Sequence, residues 1–150
     1  MIHGTVLDTE AAIIKAREVM ASANVADRFT GKVGDFFQAV PKGGDLYMMK
    51  GILHDWSDDK ATEILRTVRA AMTPDSQLLP IEGVIDDAGL EAERTQYLMD
   101  LNMLVNFGGT ERTADEHRAL LAAAGFQPPS FNYAPPPLGI AFIEARPANR

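Results

Sequence analysis

The sequence contains no cysteine, which excludes disulfide bonds, thiolate metal sites and cysteine nucleophiles. Basic residues are also few: 14 Lys and Arg stand against 21 Asp and Glu, and the formal net charge is −7. This balance disfavours nucleic-acid or anionic-membrane partners, because both require a basic surface. No run approaches the ~20 apolar residues of a membrane-spanning helix. The first residues also lack the basic start and apolar core of a signal peptide, so we expect a cytoplasmic location.

The length and composition are those of one ordinary globular domain. The chain has 150 residues, of which 46% are hydrophobic and 23% are charged. A chain of this length buries roughly 70% of its unfolded surface, which is enough to build a hydrophobic core. The composition therefore argues against extensive disorder.

Apolar runs alternate with segments of helical spacing through the first half of the chain, which is typical of βαβ units. The predicted strands are 4–7, 28–33, 45–53, 77–85, 126–133 and 139–145, and the predicted helices are 10–22, 57–72, 91–105 and 113–124. Turn chemistry predicts a loop at 86–89 and a proline-rich turn at 135–137. The pattern predicts an α/β fold with a mostly parallel sheet, and a reversal between the last two strands places an antiparallel strand at its edge.

Capping signals support three of the helices. Thr9 or Asp8 can cap the first helix and Ser57 the second. Thr113 with Glu116 three residues later has the spacing of a capping box, which predicts a helix start at that point.

Polar and aromatic residues follow the first two strands, where open α/β sheets bind their ligands. Asp8 ends the first strand and could accept hydrogen bonds from a ribose diol, although a helix cap is the simpler interpretation. Asp35 and Phe36 follow the second strand and could hold an adenine through its amino group and ring face. A turn aspartate followed by a core phenylalanine explains that pair equally simply.

The third strand leads into Lys50, His54, Asp55 and Trp56. His54 is a candidate general base at neutral pH. Asp55 is not an assured partner, because neighbouring residues on a strand point to opposite faces. A single histidine is more often structural than catalytic, but its place at a strand end among charged and aromatic residues favours a function.

Two acids further along the chain are candidate partners of His54. Glu82 lies inside an apolar strand, where a carboxylate is costly unless it is paired. Glu111 follows a Gly-Gly break and could reach the same pocket, or it could be a solvated loop acid. Carboxylates that fix the imidazole tautomer are a common general-base design. His3 and His117 have no such neighbours, we expect His117 to be solvated, and the scattered histidines make a zinc site unexpected.

These residues recur together in a known family. The motifs are 34–37 (GDFF), Lys50, 53–58 (LHDWSD), 81–82 (IE), 108–113 (GGTERT) and 124–126 (AGF), in that order. This set resembles the S-adenosylmethionine-dependent O-methyltransferases of the plant caffeate/flavonoid type. That group includes acetylserotonin methyltransferase and bacterial enzymes that tailor polyketides and other aromatic metabolites. The resemblance covers nearly the whole chain, and the pairing of His-Asp-Trp with Gly-Gly-x-Glu-Arg-Thr is specific.

The resemblance implies a site for the methyl donor S-adenosylmethionine. Asp8 is similar to the acid that binds the ribose hydroxyls, and Asp35 and Phe36 to the pair that contacts adenine. Lys50 is similar to a lysine near the donor. The sulfonium group supplies its own electrophile, so this chemistry requires no metal.

The resemblance also implies the catalytic and acceptor groups. His54 is similar to the base that takes a proton from the hydroxyl of a small aromatic substrate, and Glu82 and Glu111 to the acids that orient it. The positions similar to those that line the acceptor pocket are Asp100, Met103 and Asn106.

The chain departs from the family pattern at its beginning. The resemblance implies members more than twice as long, with an N-terminal dimerisation domain and a first strand that ends in a glycine-rich loop. Only Gly4 precedes Asp8, so we interpret residues 1–150 as the C-terminal part of a catalytic domain, and a homodimer as a property of a full-length form. Without the first strand, the sheet either keeps a gap with two open edges or rearranges.

A second departure is Pro80, which lies within the strand that carries Glu82. Proline cannot donate to a sheet ladder, so we expect a bulge or an early interruption of the strand there. Three hypotheses follow for the chain: a portion of an O-methyltransferase with a working base, a truncated fragment that keeps the fold without activity, or a nucleotide-binding oxidoreductase-like domain.

Overall fold

The computed structural model describes residues 1–85, 90–135 and 140–149, with the side chains of 97–107 but not of 90–96 in the third helix. The strands are β1 (Gly4–Asp8), β2 (Phe29–Val33), β3 (Leu46–Lys50), β4 (Gln77–Ile85), β5 (Arg112–Thr113), β6 (Ser130–Tyr133) and β7 (Ile140–Glu144). The helices are α1 (Glu10–Ser22), α2 (Asp58–Ala71), α3 (Leu90–Phe107) and α4 (Ala114–Ala123). The predicted loop at 86–89 and most of the turn at 135–137 lie outside the described residues.

The predicted helix caps form at two of the three sites. The Thr9 side chain accepts a hydrogen bond from the Ala12 amide at the start of α1. Thr113 and Glu116 form the complete capping box at the start of α4. Ser57 occupies the N-cap position of α2 but its side chain makes no capping hydrogen bond, so Asp58 and Asp59 in the first turn supply the favourable charge at that end.

The described strands form two sheets. β1 and β2 pair in parallel, and α1 packs against them through the fully buried Ile13. The larger sheet has the order β3-β4-β7-β6, and the short β5 pairs with the end of β4. β3 and β4 are parallel, whereas β7 is antiparallel to both β4 and β6. The α/β class with an antiparallel strand is therefore confirmed, and that strand is β7, with β6 outside it at the edge.

Two strand edges stay open between these sheets. Within the described ranges, β1 pairs only with β2 and β3 pairs only with β4. β1 and β3 therefore each have one edge without a described partner strand. The exposed face of β3 carries Leu46 and Met48, which are 52% and 65% exposed. The strand pattern therefore matches the first of the two predicted alternatives, in which the sheet keeps a gap.

The core lies between the larger sheet and the helices α2 and α4. α2 buries one face composed of Ala61, Ile64, Leu65, Val68 and Ala71. Alternate residues of β4 are buried against this layer, namely Leu78, Pro80, Glu82 and Val84. Period-two alternation thus places the Glu82 carboxylate on the same face as the core residues. No helix in the described part of the chain is long and apolar enough to cross a membrane.

The prediction of a bulge or interruption at Pro80 is wrong. β4 is continuous from Gln77 to Ile85, and its register with β3 passes through Pro80 without a shift. On the β7 side, Leu78 lies opposite Ala145 and Ile81 opposite Phe142, so one register holds on both sides of the proline. The strand tolerates Pro80 because the ladder contacts on either side of it hold β4 in place, so Glu82 keeps its predicted orientation.

Candidate active site

A short turn after β3 presents His54. Gly51 follows the strand with φ of 59°, a left-handed conformation that favours glycine, and its amide donates to the Ile81 carbonyl. The chain then forms a 3-10 turn over Leu53–Asp55, here called the His54 turn. The end of the predicted strand 45–53 is therefore a turn, and the strand itself ends at Lys50.

The Glu82 carboxylate holds the His54 turn by bonding to backbone amides of the turn. Its Oε1 atom accepts hydrogen bonds from the amides of Ile52 and Leu53, each at 3.0 Å. These two amides have no partner inside so short a turn, so the carboxylate satisfies them. The Glu82 side chain is fully buried, and its Oε2 atom lies 4.0 Å from His54 Nδ1. Glu82 thus contacts the imidazole only at long range and fixes it mainly by holding the turn.

Glu111 makes the direct contact with His54. Its Oε1 atom lies 2.9 Å from Nδ1, although the two residues are 57 positions apart in the chain. A carboxylate at Nδ1 favours the tautomer in which Nδ1 carries the hydrogen and Nε2 keeps its lone pair. The imidazole is 22% exposed, so Nε2 can serve as a proton acceptor. The structure therefore brings together the three residues His54, Glu82 and Glu111.

Asp55 is also near the imidazole, contrary to the expectation from strand geometry. Its Oδ1 atom lies 3.6 Å from His54 Nε2. The reason is local: both residues lie on a 3-10 turn, where adjacent side chains do not point to opposite faces as they do on a strand. Recognition of the turn after Gly51 could have predicted this contact.

A second loop, residues 108–111, carries Glu111 against the His54 turn. The Thr110 amide donates to the His54 carbonyl at 2.9 Å. Gly109 lies so close that a Cβ atom there would collide with the His54 carbonyl oxygen and the Asp55 backbone. A Cβ at Gly83 on β4 would likewise collide with the Glu111 carboxylate. These two glycines therefore provide the space that the contact between His54 and Glu111 requires.

Arg112 fixes the far side of the His54 turn. Its side chain is 2% exposed and donates to the carbonyls of Leu53 and Trp56, each at 2.8 Å. It also forms an ion pair with Asp58 at 2.9 Å. One guanidinium thus satisfies carbonyls on both ends of the turn, a function for which the planar five-donor group is suited. Sequence reasoning missed this arginine, and its place in the 108–113 motif is the one signal that could have found it.

The acids set the charge of the site. The hydrogen bond that His54 donates to Glu111, together with the nearby charges of Glu82 and Asp55, raises the pKa of His54 above its usual 6.5, against the opposing effect of burial. Burial raises the pKa of Glu82, and the hydrogen bonds from the Leu53 and Ile52 amides oppose that shift. The Oε2 atoms of Glu82 and Glu111 are both buried without a hydrogen-bond partner among the described residues. The imidazolium is therefore the natural counterion of this pair.

The residues predicted for the methyl donor lie at strand ends. Asp8 ends β1, is exposed and accepts from the Thr9 amide at 2.7 Å. Asp35 follows β2 and accepts from the Phe37 amide at 2.8 Å, so it also forms the predicted turn. Phe36 is half-buried with its ring 6.3 Å from that of Trp56, and Lys50 is exposed at the end of β3. Among the described residues, no hydrogen bond or ion pair links any of these four to His54, Glu82 or Glu111.

The residues predicted for the acceptor pocket lie on α3. Met103 is buried at 6% exposure. Asn106 is exposed, and its side chain donates back to Asn102 on the same helix at 2.9 Å. Asp100 accepts hydrogen bonds from Thr110 and Glu111, so it contacts the loop that carries Glu111. Of the three, Asp100 is the one with a direct bond to a residue of the site.

The expectation that His117 is solvated is wrong. Its side chain is buried at 2% exposure, and Nε2 lies 3.3 Å from the Gly83 carbonyl. The helix α4 turns this face inward against β4, and burial lowers the pKa of His117 to about 4. The residue is therefore neutral at physiological pH. His3 is exposed and bonds to the Thr30 hydroxyl, away from the site.

Comparison with known proteins identifies the family. Residues 1–127 match the model of a family described as the O-methyltransferase domain. The chain belongs to this family. The resemblance inferred from the motifs is thereby confirmed.

Individual members of the O-methyltransferase domain family align with nearly the whole length of this chain. It is 42% identical over 147 residues, 97% of its length, to the O-demethylpuromycin-O-methyltransferase of Streptomyces alboniger, of which it covers 39%. Among solved structures, it matches the mitomycin 7-O-methyltransferase MmcR with a TM-score of 0.87 and 36% identity, over 97% of this chain and 42% of that one. It matches an O-methyltransferase from neocarzinostatin biosynthesis, in complex with S-adenosylmethionine and 2-hydroxy-5-methyl naphthoic acid, with a TM-score of 0.81 and 32% identity, over 97% of this chain and 41% of that one. The chain thus spans about two fifths of the length of these relatives.

The contact between Glu111 and His54 leads to a prediction about pH. In Glu111→Gln, the amide oxygen can still accept from Nδ1, but the negative charge that raises the His54 pKa is gone. We expect the NMR titration midpoint of the His54 imidazole to move to lower pH, while the facing carboxylates Glu82 and Asp55 maintain part of the shift.

The same change alters the pH dependence of stability. Because the folded-state pKa of His54 is raised, its contribution is fully present below the unfolded value near 6.5 and is lost as the pH rises through the folded value. Urea titrations should show this loss in the original chain and a smaller one in Glu111→Gln. Glu63→Gln, the same change at an exposed position of α2, is the control. An unchanged His54 midpoint in Glu111→Gln would contradict the assignment.

Proposed function

We propose that this chain is the part of an S-adenosylmethionine-dependent O-methyltransferase that carries the general base, and that it methylates a hydroxyl of a small aromatic metabolite. The observation that carries the proposal is the bond between His54 Nδ1 and Glu111 in a chain of this family. The family match favours this hypothesis over the oxidoreductase-like one. As the chain spans about two fifths of its relatives, we propose that residues 1–150 form the C-terminal part of the catalytic domain.

The chemistry requires a base, because a phenol with a pKa of ~10 is a poor nucleophile until it loses its proton. In the proposed reaction, His54 Nε2 takes the hydroxyl proton as the oxygen attacks. Glu111 accepts from Nδ1 throughout and stabilises the imidazolium that forms, and Glu82 holds the turn. The oxygen–methyl bond forms as the sulfur–methyl bond breaks. Holding the two atoms in line supplies the remaining rate enhancement.

The residues at the strand ends fit the methyl donor. Asp8 and Asp35 are exposed carboxylates, suited to accept from ribose hydroxyls and an adenine amino group. Phe36 offers a half-buried ring, and Lys50 lies exposed at the end of β3. When bound, S-adenosylmethionine supplies the electrophilic methyl group on its sulfonium.

The proposed partners are small molecules. The net charge of −7 supports a function without nucleic acid or an anionic membrane. A cytoplasmic location is part of the same proposal. We propose a homodimer for a full-length form, supported by the exposed apolar residues of α3, among them Leu101, Leu104 and Val105.

Calorimetric titration of the chain with S-adenosylmethionine tests the donor site. We expect measurable binding, weakened about 10- to 100-fold in Asp8→Asn, because a hydrogen bond to a charged group contributes about 1.5–3 kcal/mol. Asp75→Asn, an equal change in the exposed turn after α2, should bind as the original chain does. The absence of heat at millimolar donor would instead support the hypothesis of a truncated fragment without activity.

A further inference from the structure

The carboxylate of Asp100 lies where it can control the position of Glu111. Its Oδ1 atom accepts from the Glu111 amide at 2.8 Å and from the Thr110 hydroxyl at 3.0 Å. Asp100 is half-buried on α3, ten or eleven positions before its partners. Charge-assisted bonds of this kind are about twice as strong as neutral ones. The 108–111 loop is therefore tied to the helix at the residue that contacts the imidazole.

The same loop is tied to the His54 turn by a separate bond. The Thr110 amide donates to the His54 carbonyl at 2.9 Å, and Glu111 Oε1 reaches Nδ1 at 2.9 Å. Two glycines precede Thr110 and Glu111 in this loop. Gly108 has φ of 70° with open space around it, and Gly109 allows close approach to the His54 turn. A loop that begins with two glycines is intrinsically free to move, so its conformation depends on such bonds.

We propose that Asp100 is a positioning residue of the proposed methyl-transfer site. Asp100 holds the loop 108–111, so that Glu111 keeps His54 in the tautomer with the hydrogen on Nδ1 and the lone pair on Nε2. The inference rests on the proposed function and gives Asp100 a different task from lining the acceptor pocket. Asp100 acts from α3 on the Glu111 amide and the Thr110 hydroxyl, without touching the reacting atoms. It also links α3 to the base, so a displacement of that helix would change the alignment of His54.

The test uses imidazole NMR of the chain without donor or acceptor. In the original chain, the neutral His54 ring should carry its hydrogen on Nδ1. Asp100→Ala should convert a substantial fraction to the Nε2–H tautomer and move the titration midpoint to lower pH. Asp100→Asn keeps an oxygen at the same position and should restore the original tautomer. Asn102→Ala, an exposed change on the same helix, is the control.

Several outcomes would overturn the inference. A folded Asp100→Ala chain with the original tautomer and midpoint would do so, as would a rise in KM for the aromatic acceptor with the imidazole unaltered, the result expected of a substrate contact. If Asp100→Ala does not fold, Thr110→Val removes the hydroxyl donor and leaves the Glu111 amide bond to Asp100, so a smaller shift toward the Nε2–H tautomer is expected there, and the absence of any shift would overturn the inference. Because these spectra contain no substrate, they remain informative if His54 proves not to be the base, which only transfer assays decide.

Discussion

Replacing Arg112 with methionine should lower the free energy of unfolding by about 2–5 kcal/mol, because the charged guanidinium donates to the carbonyls of Leu53 and Trp56 and each such bond contributes about 1.5–3 kcal/mol. The Leu53 carbonyl would keep the bond from the Trp56 amide at 3.3 Å, whereas no other described donor reaches the Trp56 carbonyl. Methionine retains much of the side-chain volume, so the loss reports the hydrogen bonds more than a cavity. The ion pair with Asp58 adds little, since the Asp58 side chain is 76% exposed.

Urea denaturation followed by circular dichroism measures this change. Arg17→Met, the same substitution at an exposed position of α1, should change stability by no more than about 0.5 kcal/mol. The His54 resonances offer a second readout, because loosening the turn should broaden them before the chain unfolds. Equal effects of the two substitutions would show that the bonds from Arg112 contribute no special stability.

The parts of the fold that local rules determine could be predicted from the sequence. Thr9 and the Thr113–Glu116 pair cap helices through hydrogen bonds that span three residues, so their spacing alone predicted them. Glu82 could be placed on a buried face by the same local reasoning, because strand side chains alternate. Its need for a partner then followed from the cost of burying a carboxylate.

Long-range packing determined the features that the sequence did not reveal. His117 lies three and four positions before Leu120 and Leu121, so helical spacing could have placed it on their buried face. The sequence could not show that its ring would meet the Gly83 carbonyl of β4. Asp100 and Arg112 act through hydrogen bonds to backbone atoms, and such bonds depend on how loops meet. At Pro80, the general rule for proline in strands failed because the neighbouring strands hold β4 in register on both sides.

The convergence on His54 has a physical logic. In the proposed role of base, His54 must be held in one tautomer and one orientation, yet a single 3-10 turn is too short to stabilise itself. Three buried charged groups therefore hold the turn and its imidazole from outside the turn. Glu82 on β4 accepts from the amides of the turn, Arg112 on β5 donates to its carbonyls, and Glu111 accepts from the imidazole ring. Glu82 Oε2 and Glu111 Oε2 are buried without a hydrogen-bond partner among the described residues, so both are available to stabilise an imidazolium on His54.

Replacing His54 with glutamine should therefore remove the base and little else. We expect the rate of methyl transfer to fall by about 10²- to 10⁴-fold, the usual contribution of a general base. The affinity for S-adenosylmethionine should remain within a few-fold, because the described hydrogen bonds and ion pairs of the imidazole involve Glu111, Glu82 and Asp55 and none of the predicted donor residues. Glutamine is similar in size and can still bond to Glu111, so the turn should stay folded.

Transfer of a labelled methyl group to 2-hydroxy-5-methyl naphthoic acid, the compound bound by a structural relative, provides the assay, with calorimetry for donor affinity. His3→Gln, at an exposed position bonded to Thr30, is the matched control and should leave both quantities unchanged. With His54 present, the rate should rise with pH through the raised pKa of the imidazole, since only the neutral ring accepts a proton. A His54→Gln chain that transfers at the original rate, or one that loses donor binding, would remove His54 from the role of base.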